Sequence, residues 1–113
     1  MNIGIIGCGH MGSAIANALL NKKVGKIFAS SKTFSRTAPN AATKNFKWVV
    51  DNVDIVDSCE LICLAVRPGD IQEILTSIKK NLKNQILVSI AAGVSLKKLT
   101  AWSGGYKKIV RVM

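Results

Sequence analysis

The 113-residue sequence predicts an α/β fold: a doubly wound, mostly parallel sheet of about six strands with helices on both faces. Two observations carry this. Short apolar runs alternate with amphipathic stretches along the chain, and the strongest run is apolar on both sides instead of alternating with polar residues. Strands buried on both faces belong to parallel sheets, where crossover helices do the burying. Right-handed crossovers leave few other topologies.

Each element has its own reason. Asn2 to Ile6 is a short apolar run stopped by Gly7, as a buried parallel strand requires. Gly12 to Leu20 follows as a helix whose alanines permit close packing. Lys26 to Ala29 and Lys47 to Val50 are the second and third strands. Between them, Ser30 to Phe46 is rich in Ser, Thr, Lys and Asn, and Pro39 sits where a crossover helix would run. That helix is expected to be short or irregular. Leu61 to Val66 is the strongest strand. In the helix after it, Pro68 suits the first position, Asp70 and Glu73 charge the first turn, and Lys79, Lys80 and Lys83 the last. Ile71, Ile74, Leu75, Ile78 and Leu82 form its apolar stripe. Ile86 to Ile90 is the fifth strand, a short helix capped by Ser95 turns Leu96 and Leu99 inward, and Lys107 to Val112 is the sixth strand.

Composition narrows the class. With 49% hydrophobic and 19% charged residues, the chain is neither disordered nor collagen-like. Its 16 basic and 6 acidic residues give a formal charge of +10 in bands. Residues 1–50 hold seven basic groups and no acid, 51–73 hold all six acids with Arg67, and 74–113 hold eight basic groups. The net charge invites a nucleic-acid or anionic-membrane reading, and the banding suits an anionic cofactor, an acidic partner or solubility alone. Nucleic acid is disfavoured, because aromatics for base stacking are scattered and make up only 5%. For Lys79, Lys80 and Lys83 the plain reading is a solvated helix face. No apolar segment is long enough to span a bilayer. Ala14, Ala16 and Ala18 mimic a signal-cleavage site, but a basic leader is lacking and glycines interrupt the apolar run, so secretion is not expected. The cysteines are Cys8, Cys59 and Cys63. Read on one strand, Cys59 and Cys63 would stand about 13 Å apart, too far for a disulfide. A reducing, cytoplasmic setting is expected.

The chemistry begins at Gly7, Gly9 and Gly12, a G-x-G-x-x-G spacing between a strand and a helix. That context makes it the dinucleotide fingerprint of a Rossmann-type domain. Gly7 permits the tight turn, Gly9 lets a pyrophosphate approach the backbone, and Gly12 lets helix pack on strand. The helix N-terminus offers N–H donors and a positive dipole end. An NAD-binding chain places Asp or Glu at the end of the second strand, about 20 residues on. Here the segment reads Ala29-Ser30-Ser31-Lys32-Thr33, with Arg36 nearby. Hydroxyls and cations suit a 2′-phosphate, so NADP(H) is favoured over NAD(H).

Four ordered blocks then resemble the pyrroline-5-carboxylate reductase family: Ile-Gly-Cys-Gly-His-Met-Gly-Ser-Ala-Ile-Ala at 6–16, Leu-Ala-Val-Arg-Pro at 64–68, Ser-Ile-Ala-Ala-Gly-Val-Ser at 89–95, and Arg-Val-Met at 111–113. The resemblance implies that Ile6, Gly7, Cys8, Gly9, His10 and Met11 form the pyrophosphate turn. It places Ser31 and its neighbours at the adenosine end and Asn52 near the adenine ribose. It sets Ala65, Val66, Arg67 and Pro68, with Ala91, Ala92 and Gly93, along the nicotinamide half. His10 stands where relatives often have Asn, and Arg67 replaces a common Lys. Cys63 reads as core, and Trp48 and Trp102 as packing residues.

In that family, hydride passes from NAD(P)H to 1-pyrroline-5-carboxylate to give proline. The resemblance also implies a further helical domain, continuing from Arg-Val-Met with Pro-Asn, that makes the dimer and completes the imine site. Residues 1–113 are therefore expected to be the dinucleotide-binding domain, with no catalytic residue and no metal ligand assigned within them. This chain should bind cofactor and reduce the imine poorly or not at all. Two rivals are a cofactor domain serving another substrate, such as a deazaflavin-dependent reductase, and a non-catalytic nucleotide-binding module.

Overall fold

The computed structural model describes residues 1–7, 10–22, 25–30 and 46–112, with backbone alone at His10 and Met11. Along them run β1 (Ile3–Ile6), α1 (His10–Asn21), β2 (Ile27–Ser30), β3 (Phe46–Trp48), α2 (Asn52–Ser58), β4 (Leu61–Leu64), α3 (Ile71–Ile78), β5 (Ile86–Ser89), α4 (Leu96–Trp102) and β6 (Ile109–Arg111). All neighbouring strands are parallel, in the order β3-β2-β1-β4-β5-β6. The chain winds outward from β1 to β3, returns to β4, and winds the other way to β6. This is the doubly wound, Rossmann-type sheet.

The apolar character of the strands follows from their two packed faces. Ile3, Ile5, Ile27, Ala29 and Cys63 lie with Ala16, Ile15 and Leu19 of α1. Ile6, Ile62, Leu64 and Leu87 lie with Ile55 and Val56 of α2, Ile71, Leu75 and Ile78 of α3, and Leu99 of α4. Alternate residues of one strand thus feed opposite cores, and each fully buried Ile or Leu contributes roughly 1.5–3 kcal/mol. Trp48 meets Phe46 edge to face at 5.2 Å between ring centres, and Trp102 packs on the second core.

Four features depart from expectation. The helix α2 was not foreseen. It has seven residues, buries only Ile55 and Val56, and is started by Asp51, whose side chain accepts from the Val53 N–H at 3.0 Å. Its periodic signal is too short to read, and packing on β1 sustains it. A Cβ at Gly4 would stand 2.3 Å from Ile55 Cγ2, so the helix needs glycine beneath it.

The expected continuous helix from Pro68 to Lys83 is divided. Pro68–Asp70 and Lys79–Asn81 are 3-10 turns flanking α3, so the lysines lie beyond the last α-helical turn. Its stripe is nevertheless as expected, with Ile71, Ile74, Leu75 and Ile78 buried and Leu82 packed against the core. Leu96 does not face inward: at the start of α4 it is 50% exposed, while Leu99 is buried. The short helix α4 packs on α3 and β6, and its first residue falls outside that cover. Cys59 is not on the strand with Cys63; it ends α2. Both are buried free thiols. The crossover with Pro39 lies outside the described residues.

Candidate functional site: the crevice at the carboxyl ends of the strands

The winding direction reverses between β1 and β4, so the chain leaves these adjacent strands toward opposite faces and opens a crevice at their carboxyl ends. Backbone hydrogen bonds align its rim. Gly7 N donates to Ser30 O at 3.0 Å, Ala65 N to Ile6 O at 2.8 Å, and Ile90 N to Leu64 O at 3.3 Å. These bonds extend the ladders of β1, β4 and β5 by one residue and set Gly7, Ala65 and Ile90 side by side, with Ser30 opposite Ile6 one residue back.

The glycine turn has the geometry its residues require. Gly7 has φ +86°, a conformation that L side chains rarely adopt, and a Cβ there would meet Ala65 O at 3.0 Å and Val66 Cγ1 at 2.2 Å. A Cβ on Gly12 would approach Gly7 O at 3.0 Å and Ile5 Cγ2 at 3.2 Å. Helix α1 therefore lies directly against β1, with Ala16 fully buried one turn on. No acidic residue occupies the first turn of α1, so the positive end of its dipole is not neutralised there. Ile6 is buried beneath the turn. Cys8 and Gly9 lie outside the described residues, as do the side chains of His10 and Met11.

At the end of β2, the buried Ser30 hydroxyl donates to Asn52 Oδ1, joining that strand to the first residue of α2. With its oxygen engaged, the Asn52 amide nitrogen remains a donor. Ser31, Lys32 and Arg36 lie outside the described residues.

On the other side, Ala65 and Val66 are half-buried, and Arg67 and Pro68 are exposed. Arg67 Nε stands 3.8 Å from Asp70 Oδ2, with the Arg67 side chain 90% exposed, so the pair is a weak tether. Ala91 is buried, whereas Ala92 and Gly93 are exposed, with Gly93 at φ +77°. Ser89 shapes this turn: fully buried, its hydroxyl accepts from the Ala91 N–H at 3.3 Å. It was not singled out from the sequence, where a serine inside the run Val-Ser-Ile was the available signal. Asp51, which starts the helix carrying Asn52, was also missed.

Among the described residues no group of three His, Cys, Asp or Glu is placed to hold a metal ion. The arrangement is one for binding and orienting an extended anion, with glycine backbone at its centre and donors at either end.

Residues 2–93 match the family model described as NADP oxidoreductase, coenzyme F420-dependent. The chain belongs to that family. Relatives of this family member include the pyrroline-5-carboxylate reductases of Aquifex aeolicus, 38% identical over 116 residues, and Escherichia coli, 32% over 115. The alignments take in 100% and 98% of this chain but 42% and 43% of those proteins, so the chain spans less than half of the curated relatives it matches. Among solved structures, Plasmodium falciparum pyrroline carboxylate reductase with NADP bound matches with a TM-score of 0.85 at 29% identity, over 100% of this chain and 42% of that one. Streptomyces aurantiacus imine reductase has the same fold at a TM-score of 0.82 and 16% identity, over 98% of this chain and 40% of that one. What the chain shares with the pyrroline-5-carboxylate reductases is their N-terminal dinucleotide-binding domain.

Proposed function

We propose that the chain is the NADP(H)-binding domain of a pyrroline-5-carboxylate reductase-like oxidoreductase. The observation that carries this is the close approach of Gly7, Gly12 and Ala65 at the point where the strand order reverses. A dinucleotide fits there because Gly7 and Gly12 let the turn and helix α1 pack closely against β1 and Ala65, which brings the helix end to the crevice, and that end carries no acid. Ile6, Gly7, Cys8, Gly9, His10, Met11 and Gly12 hold the pyrophosphate. Ser30, Ser31, Lys32, Arg36 and Asn52 take the adenosine end. Ala65 to Pro68 and Ala91 to Gly93 border the nicotinamide half.

When bound, the cofactor supplies hydride. The chain's own residues bind and orient it. The preference for NADP(H) rests on the absence of any acid from Ser30 to Arg36 and on the hydroxyls and cations there. It is consistent with the NADP bound to the Plasmodium falciparum relative. Conversion of the imine to proline requires a further helical domain, which also forms the dimer. Buried, unpaired Cys59 and Cys63 accord with a cytoplasmic setting.

Calorimetry with NADPH and NADH tests the reading. NADPH is expected to bind more tightly, and Lys32→Ala/Arg36→Ala to weaken NADPH roughly tenfold or more, about 1.4 kcal/mol, while sparing NADH. No binding of either at millimolar protein overturns the assignment. Robust proline formation by the 113 residues overturns the need for a second domain. The description of the matched family favours one second reading, a deazaflavin-dependent reductase. Assay of the complete gene product with both substrates separates the two.

A further inference from the structure

At the other end of the sheet, Lys79, Lys83, Lys107 and Lys108 line a groove of about 410 Å³. Lys83 precedes β5, and Lys107 and Lys108 precede β6, so the groove lies at the amino ends of parallel strands. The glycine turn follows the carboxyl end of β1. Strands of four residues at ~3.3 Å each set these two ends about 13 Å apart.

The groove is held in shape by hydrogen bonds around Gln85, two of them partly buried. The Tyr106 hydroxyl donates to the Gln85 carbonyl, Gln85 Nε2 donates to Val56 O at 2.8 Å, and Gln85 Oε1 accepts from the Lys83 N–H at 2.7 Å. Its lining includes Gly104 and Gly105, at φ +75° and +86°. A Cβ on Gly104 would come no closer than 3.8 Å to Lys79 Cδ, and one on Gly105 would meet nothing within 4 Å, so the glycine pair borders open space.

Two lysines come from the connection between α3 and β5, and two from the connection between α4 and β6. No carboxylate lines the groove, and among the described residues none pairs with these four lysines. Asp57, at the end of α2, accepts from Asn81 Nδ2 instead. Four cations around one groove repel one another, and the carbonyl ends of α3 and α4 beside them offset only part of that repulsion. An ammonium is a point charge with three donors, suited to phosphate oxygens. The groove is open to solvent, so a ligand there is held by charge and not by enclosure.

We propose that this groove binds a compact polyanion of the pyrophosphate class, separately from the dinucleotide crevice. The inference does not depend on the function proposed above. The test is a titration of the chain with inorganic pyrophosphate, followed by amide NMR shifts. Saturable shifts are expected at residues 79–83 and 103–108, with affinity reduced at least fivefold in Lys83→Gln/Lys107→Gln at an unchanged melting temperature. Lys107→Gln alone should show a smaller loss in the same direction and replaces the double variant if that one does not fold. Shifts reproduced by sodium chloride at equal ionic strength, shifts confined to residues 6–12, or undiminished affinity in the variants would each overturn it. So would saturation of the same amides by a single-stranded oligonucleotide but not by pyrophosphate, which assigns the groove to nucleic acid.

Discussion

Gly7 combines two separate demands, a positive φ and a carbonyl 3.0 Å from where a side chain would begin. Gly7→Ala is therefore expected to cost about 1–3 kcal/mol in urea unfolding and to weaken dinucleotide binding. Unchanged stability would show that the turn relaxes without cost. The cysteines make a second prediction at this scale. Burial pushes the Cys59 thiol from 9.0 up to about 12, with Glu60 adding to the effect, and the Cys63 thiol up to about 11. Unfolded thiols release their protons at lower pH than the folded ones. Above pH 9 the unfolded state thus binds fewer protons, and stability falls as pH rises. The contribution is whole below pH 9 and is lost progressively between pH 9 and 12. The urea midpoint should decline over that range more steeply than in Cys59→Ala/Cys63→Ala, which lacks both thiols; equal slopes would refute the effect.

At the scale of elements, α2 is the shortest helix that positions a site residue. Its seven residues rest on Asp51 at one end and on Ile55 and Val56 against β1. Asp51→Ala is expected to cost about 0.5–2 kcal/mol, read as a lower thermal midpoint. Because α2 carries Asn52, the same variant should also weaken NADPH binding; intact affinity would separate the helix from the site. This element was hidden in the sequence because its seven residues, with Val53, Ile55 and Val56 the apolar ones, are too few to make a periodic signal. The stripe of α3 was readable because Ile71, Ile74, Leu75 and Ile78 repeat at helical spacing, although its ends were not. Stripe spacing says nothing about whether Pro68, Gly69 and the lysines continue in α-helical or 3-10 geometry.

Over the whole molecule, the +10 charge is distributed unevenly. Four lysines gather at one end of the sheet, while all the acids fall within residues 51–73, on and around α2 and α3. Net self-repulsion destabilises a compact state and is screened by salt. Raising sodium chloride from 20 to 200 mM should lift the thermal midpoint by roughly 2–4 °C, equivalent to at most about 1 kcal/mol. A midpoint that falls with salt would mean that attractive pairs dominate instead.

The α/β class, the buried parallel strands and the glycine turn could be read from residue order, because each depends on neighbours within a turn or a strand. Gly7, Gly9 and Gly12 carry their spacing in the chain itself, and Leu61 to Leu64 show their double burial in composition alone. The contact of Ser30 with Asn52, 22 residues away, could not be read in this way. Nor could the exposure of Leu96, the transfer of Cys59 from strand to helix end, or the meeting of Lys79 and Lys83 with Lys107 and Lys108. Those features join segments that become neighbours when six parallel strands align their ends, and residue spacing along the chain does not encode that closure.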